Sequence, residues 1–85
     1  MTISYSKSFI KQSKKLDKSI KLQLLERIEL FGNNPLDPKL NNHALKGKYK
    51  KYRSINITGD FRALYLTHED LVIFDAVGTH SQLYG

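Results

Sequence analysis

The apolar positions of the chain change their period about halfway along it. Ile3 and Tyr5 alternate with polar neighbours, which predicts a short strand over Thr2 to Tyr5. Ser6 or Ser8 can cap a helix that follows, because a hydroxyl accepts from the free N–H groups of a first turn. That helix would turn Phe9, Ile10 and Leu16 inward and leave Lys7, Lys11, Gln12, Lys14 and Lys15 in water. A second helix is predicted from Asp17 to Ser19 through about Phe31. Ile20, Leu24, Ile28 and Phe31 recur at i, i+4, i+8 and i+11 as one stripe, and Leu22, Leu25 and Leu30 widen it. Gly32 stands where a left-handed C-terminal residue is wanted, and Asn33-Asn34-Pro35 stops the helix. The two helices should form an antiparallel hairpin.

Beyond the hairpin the period falls to two. Residues 33–42 carry both prolines and read as an ordered loop, with Leu36 and Leu40 pinning it to the core. Strand signals follow at His43 to Gly47, Tyr52 to Thr58, Phe61 to Thr67 and Leu71 to Val77. Thr58-Gly59-Asp60 and His68-Glu69-Asp70 are turn-sized, so the last three strands should form an antiparallel meander. Ile55 and Ile57 point to the core, whereas Ser54, Asn56 and Thr58 point to water. Leu71 to Phe74 is apolar on both faces and belongs in the middle of the sheet. The tail from Thr79 to Gly85 is too polar for a core strand. The fold class is α+β: a short N-terminal strand and a helical hairpin packed on one face of a small, mostly antiparallel sheet, with the other face concave and open.

Composition narrows the setting. Eighty-five residues make one domain, 1–85, with a thin core. The absence of cysteine removes disulfide and thiolate-metal frameworks, and no apolar run approaches a membrane span, so a cytoplasmic protein off the membrane is expected. The net charge of +6 is uneven. Residues 1–53 hold thirteen Lys and Arg against four acids, and residues 54–85 hold one against four. A basic surface of this size suits a polyanion or an acidic protein partner.

The densest candidate site is residues 46–53, KGKYKKYR, where Lys46, Lys48, Lys50, Lys51 and Arg53 interleave with Tyr49 and Tyr52. Cations neutralise phosphates and tyrosine rings stack on unpaired bases, so the stretch suits RNA; the same residues also describe a solvated lysine-rich turn. Imidazoles exchange protons near neutrality. Of the three, His68 reads as surface decoration in a turn, while His43 and His80 flank the basic loop and the last strand. Arg62, the one cation of the C-terminal half, can hold a phosphate by its planar fork or pair with Asp60 or Asp75. Paired glycosidase carboxylates, a nucleophile with its base, a phosphate-cradling glycine loop and metal-ligand spacing are not present, so metal-free chemistry without a cofactor is expected.

Four segments together resemble a known family: His43-Ala44-Leu45-Lys46-Gly47, Tyr52-Arg53-Ser54-Ile55, Gly59-Asp60-Phe61-Arg62-Ala63-Leu64-Tyr65, and Gly78-Thr79-His80-Ser81-Gln82-Leu83-Tyr84. In this order, and with the helical hairpin and the Asn-Pro-Leu-Asp-Pro loop, they are similar to the RelE toxins of bacterial toxin–antitoxin modules, nearest the YafQ-like branch. The resemblance implies the RelE fold and ribosome-dependent mRNA cleavage, in which the ribose 2′-OH attacks the adjacent phosphate. It also implies neutralisation by a co-expressed, acidic antitoxin from the neighbouring gene, which brings the pair to operator DNA. His80 matches the branch's C-terminal histidine, a general acid. Arg62 matches a phosphate-stabilising arginine, and Tyr84 an aromatic that stacks on a base or acts in proton transfer. His43 and Asp60 match the first histidine and the turn aspartate, with His43 the better candidate for a basic or orienting role.

The chain departs from the pattern on one strand. Ser54 and Asn56 stand where the branch often has an aspartate and a second histidine and where RelE has lysines. Neither titrates near neutrality, which leaves a weaker nuclease dependent on substrate alignment, or a toxin whose base is His43. Two other functions share the scaffold: a non-cleaving inhibitor of gyrase, as in the ParE relatives, and a silent module that only binds antitoxin and operator DNA.

Overall fold

Ser6 decides where the first helix begins. Its extended backbone ends strand β1 (Thr2–Tyr5), and its hydroxyl accepts from the Phe9 N–H at 3.0 Å to start helix α1 (Lys7–Lys14). The computed structural model describes residues 1–85. Phe9 is the buried residue of α1; Ile10 is exposed, and Leu16 packs against the core from the turn after the helix. Helix α2 (Lys18–Asn33) buries Leu24 and Phe31, with Ile28 and Leu30 partly covered. Leu22 and Leu25 do not widen this stripe but lie exposed. Leu22 is about 200° round the helix from Ile20, too far for a face that rests on a sheet. Gly32 lies inside the helix, which ends instead at Asn34 in extended backbone, its N–H held by the Leu30 carbonyl at 2.8 Å.

In the loop, Asp37 Oδ1 accepts from the Lys39 N–H at 2.9 Å and starts a 3₁₀ turn over Pro38–Leu40. The turn drives Leu40 fully into the core, while Leu36 stands 74% exposed and pins nothing. Four strands follow: β2 (His43–Ala44), β3 (Arg53–Asn56), β4 (Phe61–His68) and β5 (Leu71–Thr79), and then helix α3 (His80–Tyr84). The sheet order is β1-β5-β4-β3-β2, parallel only between β1 and β5, and β3 to β5 form the expected meander. The strand signal over His43 to Gly47 yields just two strand residues, because Gly47 takes φ +64 and opens a 3₁₀ turn over Gly47–Tyr49. The apolar strand β5 is interior, with β4 at the centre of the sheet.

One face of the sheet carries the core. Ile55, Ile57, Ala63, Tyr65, Val72, Phe74 and Val77 pack with Phe9, Leu24, Phe31 and Leu40. Phe74 has four aromatic neighbours, with centroids 6.1 Å to Tyr5, 5.8 Å to Phe9, 5.3 Å to Phe31 and 5.5 Å to Tyr65. Between Leu64/Tyr65 and their partners Ala76 and Phe74 the register slips, making Asp75 a bulge. The Asp75 carboxylate accepts from the Tyr52 hydroxyl at 2.6 Å and its carbonyl from the Ser6 hydroxyl at 3.3 Å. Beyond the end of β1, side chains take over the edge of β5: Gln12 Oε1 accepts from the Val77 N–H at 2.9 Å, so Gln12 is not a purely solvated residue of α1. The other face is drier than the alternation suggests. Ser54, flanked by β2 and β4, is completely buried, and its hydroxyl and Asn56 Oδ1 have no hydrogen-bond partner.

Phe74→Ala should cost about 3–5 kcal/mol of unfolding free energy by denaturant titration, the range for emptying an aromatic core site. Alkaline stability should depend on Tyr52. The Asp75 hydrogen bond, helped by burial and the carboxylate's charge, raises its phenol above 10.0. The folded state therefore holds that proton more tightly than the unfolded chain. The contribution is intact below the unfolded value and is lost as pH rises through the folded one. Denaturation midpoints between pH 8 and 11 should fall less steeply in Tyr52→Phe than in the unsubstituted protein.

Candidate active site

The open face gathers its polar residues from three element ends. His43 begins β2 and is registered beside Ser54; Arg62 lies on β4 between Asn56 and Gly78; His80 begins α3 directly after β5. With Leu45, Lys46, Tyr49 and Tyr84 they line a shallow depression of about 280 Å³. Four of the five candidate catalytic residues, His43, Arg62, His80 and Tyr84, thus meet across 42 residues of sequence, and Lys46 of the basic run joins them. The two histidines lie at its rim, and both are exposed.

The orientation of His43 follows from the preceding turn. Asn41 adopts a left-handed conformation (φ 45, ψ 49), which asparagine tolerates, and its carbonyl lies 2.8 Å from His43 Nδ1. A carbonyl only accepts, so Nδ1 holds the hydrogen and Nε2 of the neutral ring is left with a free lone pair. Arg62 reaches no carboxylate: the one ion pair of the molecule joins the N-terminal ammonium to Asp70 at 3.3 Å, and Asp75 is engaged by Tyr52. The guanidinium has only a 3.5 Å contact to the Gly59 carbonyl, which leaves most of its donors free for an anion. His80 packs its ring on Tyr84 at 4.8 Å, and Tyr84 meets Tyr49 edge-on at 5.2 Å.

The remaining candidates divide. Lys46 lines the depression, and Lys48, Lys50 and Lys51 are exposed in the loop that continues from it. Arg53 does not join them. Strand alternation turns it to the opposite face beside Tyr65, where Nε donates to Asn42 Oδ1 at 2.8 Å and braces the loop. Tyr52 and Tyr49 are not open stacking platforms either. Lys51 and Lys48 lie 5.6 and 5.3 Å over their rings, and both hydroxyls donate within the protein. Asp60 is exposed in the β3–β4 turn and outside the depression, and His68 is exposed as the last residue of β4, paired with Leu71, rather than in the turn. Sequence reasoning missed α3 as a helix and the parts of Tyr49 and Gln82 in holding it. Thr79 and Gln82 are spaced as a capping box, the one sequence signal for that helix.

Comparison with known proteins identifies a family over the full length of the chain. The family described as the bacterial toxin of type II toxin–antitoxin systems, YafQ, matches residues 1–85. The mRNA interferase toxin YafQ of Escherichia coli K12 is 32% identical over 82 residues, covering 95% of this chain and 88% of that protein. The crystal structure of YafQ from E. coli BL21(DE3) superposes with a TM-score of 0.84 at 31% identity, covering 98% and 97% of the two chains. A chain of the RelB–RelE antitoxin–toxin complex of Methanococcus jannaschii superposes with a TM-score of 0.76 at 27% identity, covering 95% and 94%. The protein belongs to the YafQ family of bacterial type II toxin–antitoxin toxins, on the fold it shares with RelE.

Proposed function

We propose that the protein is an mRNA interferase that cuts mRNA on the ribosome, with His43 as general base, Arg62 as phosphate clamp and His80 as general acid. The observation that carries this reading is the depression in which a carboxylate-free guanidinium lies with two imidazoles and two tyrosines. His43 Nε2 takes the 2′ proton as the 2′ oxygen bonds to phosphorus. Arg62 stabilises the phosphorane, and His80 protonates the 5′ oxygen as its bond to phosphorus breaks, leaving a 2′,3′-cyclic phosphate and a 5′-OH. Tyr84 stacks on a base beside the scissile bond. Lys46, Lys48, Lys50 and Lys51 draw in the RNA backbone, and the ribosome aligns the message. Asp60, outside the depression, contributes through the turn that leads to Arg62 rather than through proton transfer. The setting is the cytoplasm, where ribosomes are; no helix is long and apolar enough to cross a membrane.

The partner that silences the toxin is a cognate antitoxin, which also carries the pair to operator DNA. The relatives' mRNA interferase names support the nuclease, and their antitoxin-complex names support the antitoxin partner. So does the surface of the hairpin. Residues 7–21 carry six lysines and one acid, beside an apolar groove of Tyr5, Phe9, Ile10, Leu24, Leu25 and Ile28, features complementary to an acidic amphipathic segment.

Purified protein added to translating ribosomes should cut mRNA at codon spacing. His80→Ala should slow the cleavage by about 10²–10⁴-fold, the range for a lost acid or base, and Arg62→Ala by about 10²–10³-fold. Intact mRNA with arrested DNA supercoiling would replace this reading with a ParE-like one. Intact mRNA with normal growth on expression would leave a binding module. Mixing with the neighbouring gene's product at 1:1 should give a stable complex by size-exclusion chromatography; separate peaks would overturn the antitoxin assignment.

A further inference from the structure

The helix that carries His80 cannot hold its own position. It has five residues, too few for a stable turn alone, and none of them is buried. Two tethers fix it. At its start, Thr79 Oγ1 accepts from the Gln82 N–H at 3.2 Å while Gln82 Oε1 accepts from the Thr79 N–H at 2.9 Å, a reciprocal capping box. The box lies close over Gly78, where a Cβ would be 2.9 Å from Gln82 Oε1 and 3.2 Å from Gln82 Cβ. At its end, the Tyr49 hydroxyl donates to the Leu83 carbonyl at 3.2 Å and the Tyr49 ring meets Tyr84 edge-on. Tyr49 is itself anchored: its N–H bonds to the Lys46 carbonyl at 3.3 Å, and its carbonyl accepts from the Tyr52 N–H at 2.9 Å.

We propose that Tyr49 is a positioning residue for His80, acting through the Leu83 carbonyl and the Tyr84 ring. The basic loop therefore does two jobs with different residues. Its lysines attract RNA, and its first tyrosine sets the angle at which the acid is presented. A base-stacking role for Tyr49 would instead appear in binding, because a stacking platform contributes to affinity.

The kinetic arm of the test rests on the mRNA interferase reading; the structural arm does not. Tyr49→Phe keeps the ring and loses the hydroxyl, and Tyr49→Ala loses both. On ribosome-bound mRNA, kcat should fall by about threefold to tenfold in the first and about 10–100-fold in the second with KM unchanged, the scale of a misplaced reacting group. Lys50→Ala, which leaves the Lys48 contact on the Tyr49 ring intact, should raise KM with kcat unchanged. In the free protein, the His80 Cε1–Hε1 resonance should move in both Tyr49 variants and in Gln82→Ala, while that of His43 stays in place. A rise in KM at constant kcat in Tyr49→Ala, or a His80 resonance unmoved by it, overturns the proposal. If the unsubstituted protein cuts no mRNA, the interferase reading fails and the resonances still decide the role of Tyr49. Should Tyr49→Ala unfold, the milder Tyr49→Phe carries the same two readouts.

Discussion

Phe74 is the contact on which the rest of the molecule depends. Its ring touches aromatic partners from β1, α1, α2 and β4, so four elements that begin anywhere from residue 2 to residue 61 are tied to one position near the C-terminus. Aromatic pairs add about 0.5–1.5 kcal/mol each beyond the area they bury, and a domain this size has few other large buried groups. The wide sequence separation means that the N-terminal strand and helices gain their packing only after β5 is in place. Once it is, the same strand delivers Thr79 and His80 to the open face. Core and site share one strand, and a displacement of β5 would be felt at both.

The bulge at Asp75 makes that sharing possible. Strict alternation from Phe74 would send Ala76 and Gly78 toward the helices and Val77 away from them. With Asp75 as an extra residue, Phe74 and Val77 both enter the core, and Ala76 and Gly78 stand beside Leu64 and Arg62 on the open face. A residue without a side chain is then under α3, where Gln82 needs the space. Asp75 is left out of the ladder but not out of bonding, since Tyr52 and Ser6 both donate to it. The tyrosine that looks like a nucleotide platform in the sequence is thereby committed to holding the bulge.

Much of this was legible in the order of the residues. The N-terminal strand, a serine cap at Ser6 or Ser8, both helices and the three-strand meander follow from period and capping, and the structure selects Ser6. The departures share a cause: a one-dimensional pattern does not reveal which partner covers a face. Leu22, Leu25 and Leu36 are apolar with nothing to bury them within this chain, while Ser54 is polar with strands on both sides. Arg53 belongs to the basic run by composition, yet alternation places it on the other side of the sheet from Lys46. At the site, the gathering of His43, Arg62 and His80 was foreseen through family resemblance. Of the two tethers that hold His80, the capping box is local and shows in the Thr79–Gln82 spacing, whereas the Tyr49 tether joins a loop to a tail 34 residues away and left no local signal.

The neutral character of Ser54 and Asn56 has a physical logic within this fold. A proton-transfer group spends part of each cycle charged, and charge at a completely buried position without a partner is strongly penalised. Ser54 occupies such a position and already leaves its hydroxyl unpaired. The two imidazoles are instead at the ends of β2 and α3, exposed to water that can solvate either protonation state. Arg62, which never changes charge, is the ionised group that β4 contributes to the depression. No carboxylate pairs with the guanidinium, so its donors stay free, as the proposed phosphate clamp requires. Exposure has a consequence in turn: a histidine at the end of a five-residue helix has water's tolerance of charge but none of the core's rigidity, so its aim must come from contacts such as the capping box and Tyr49.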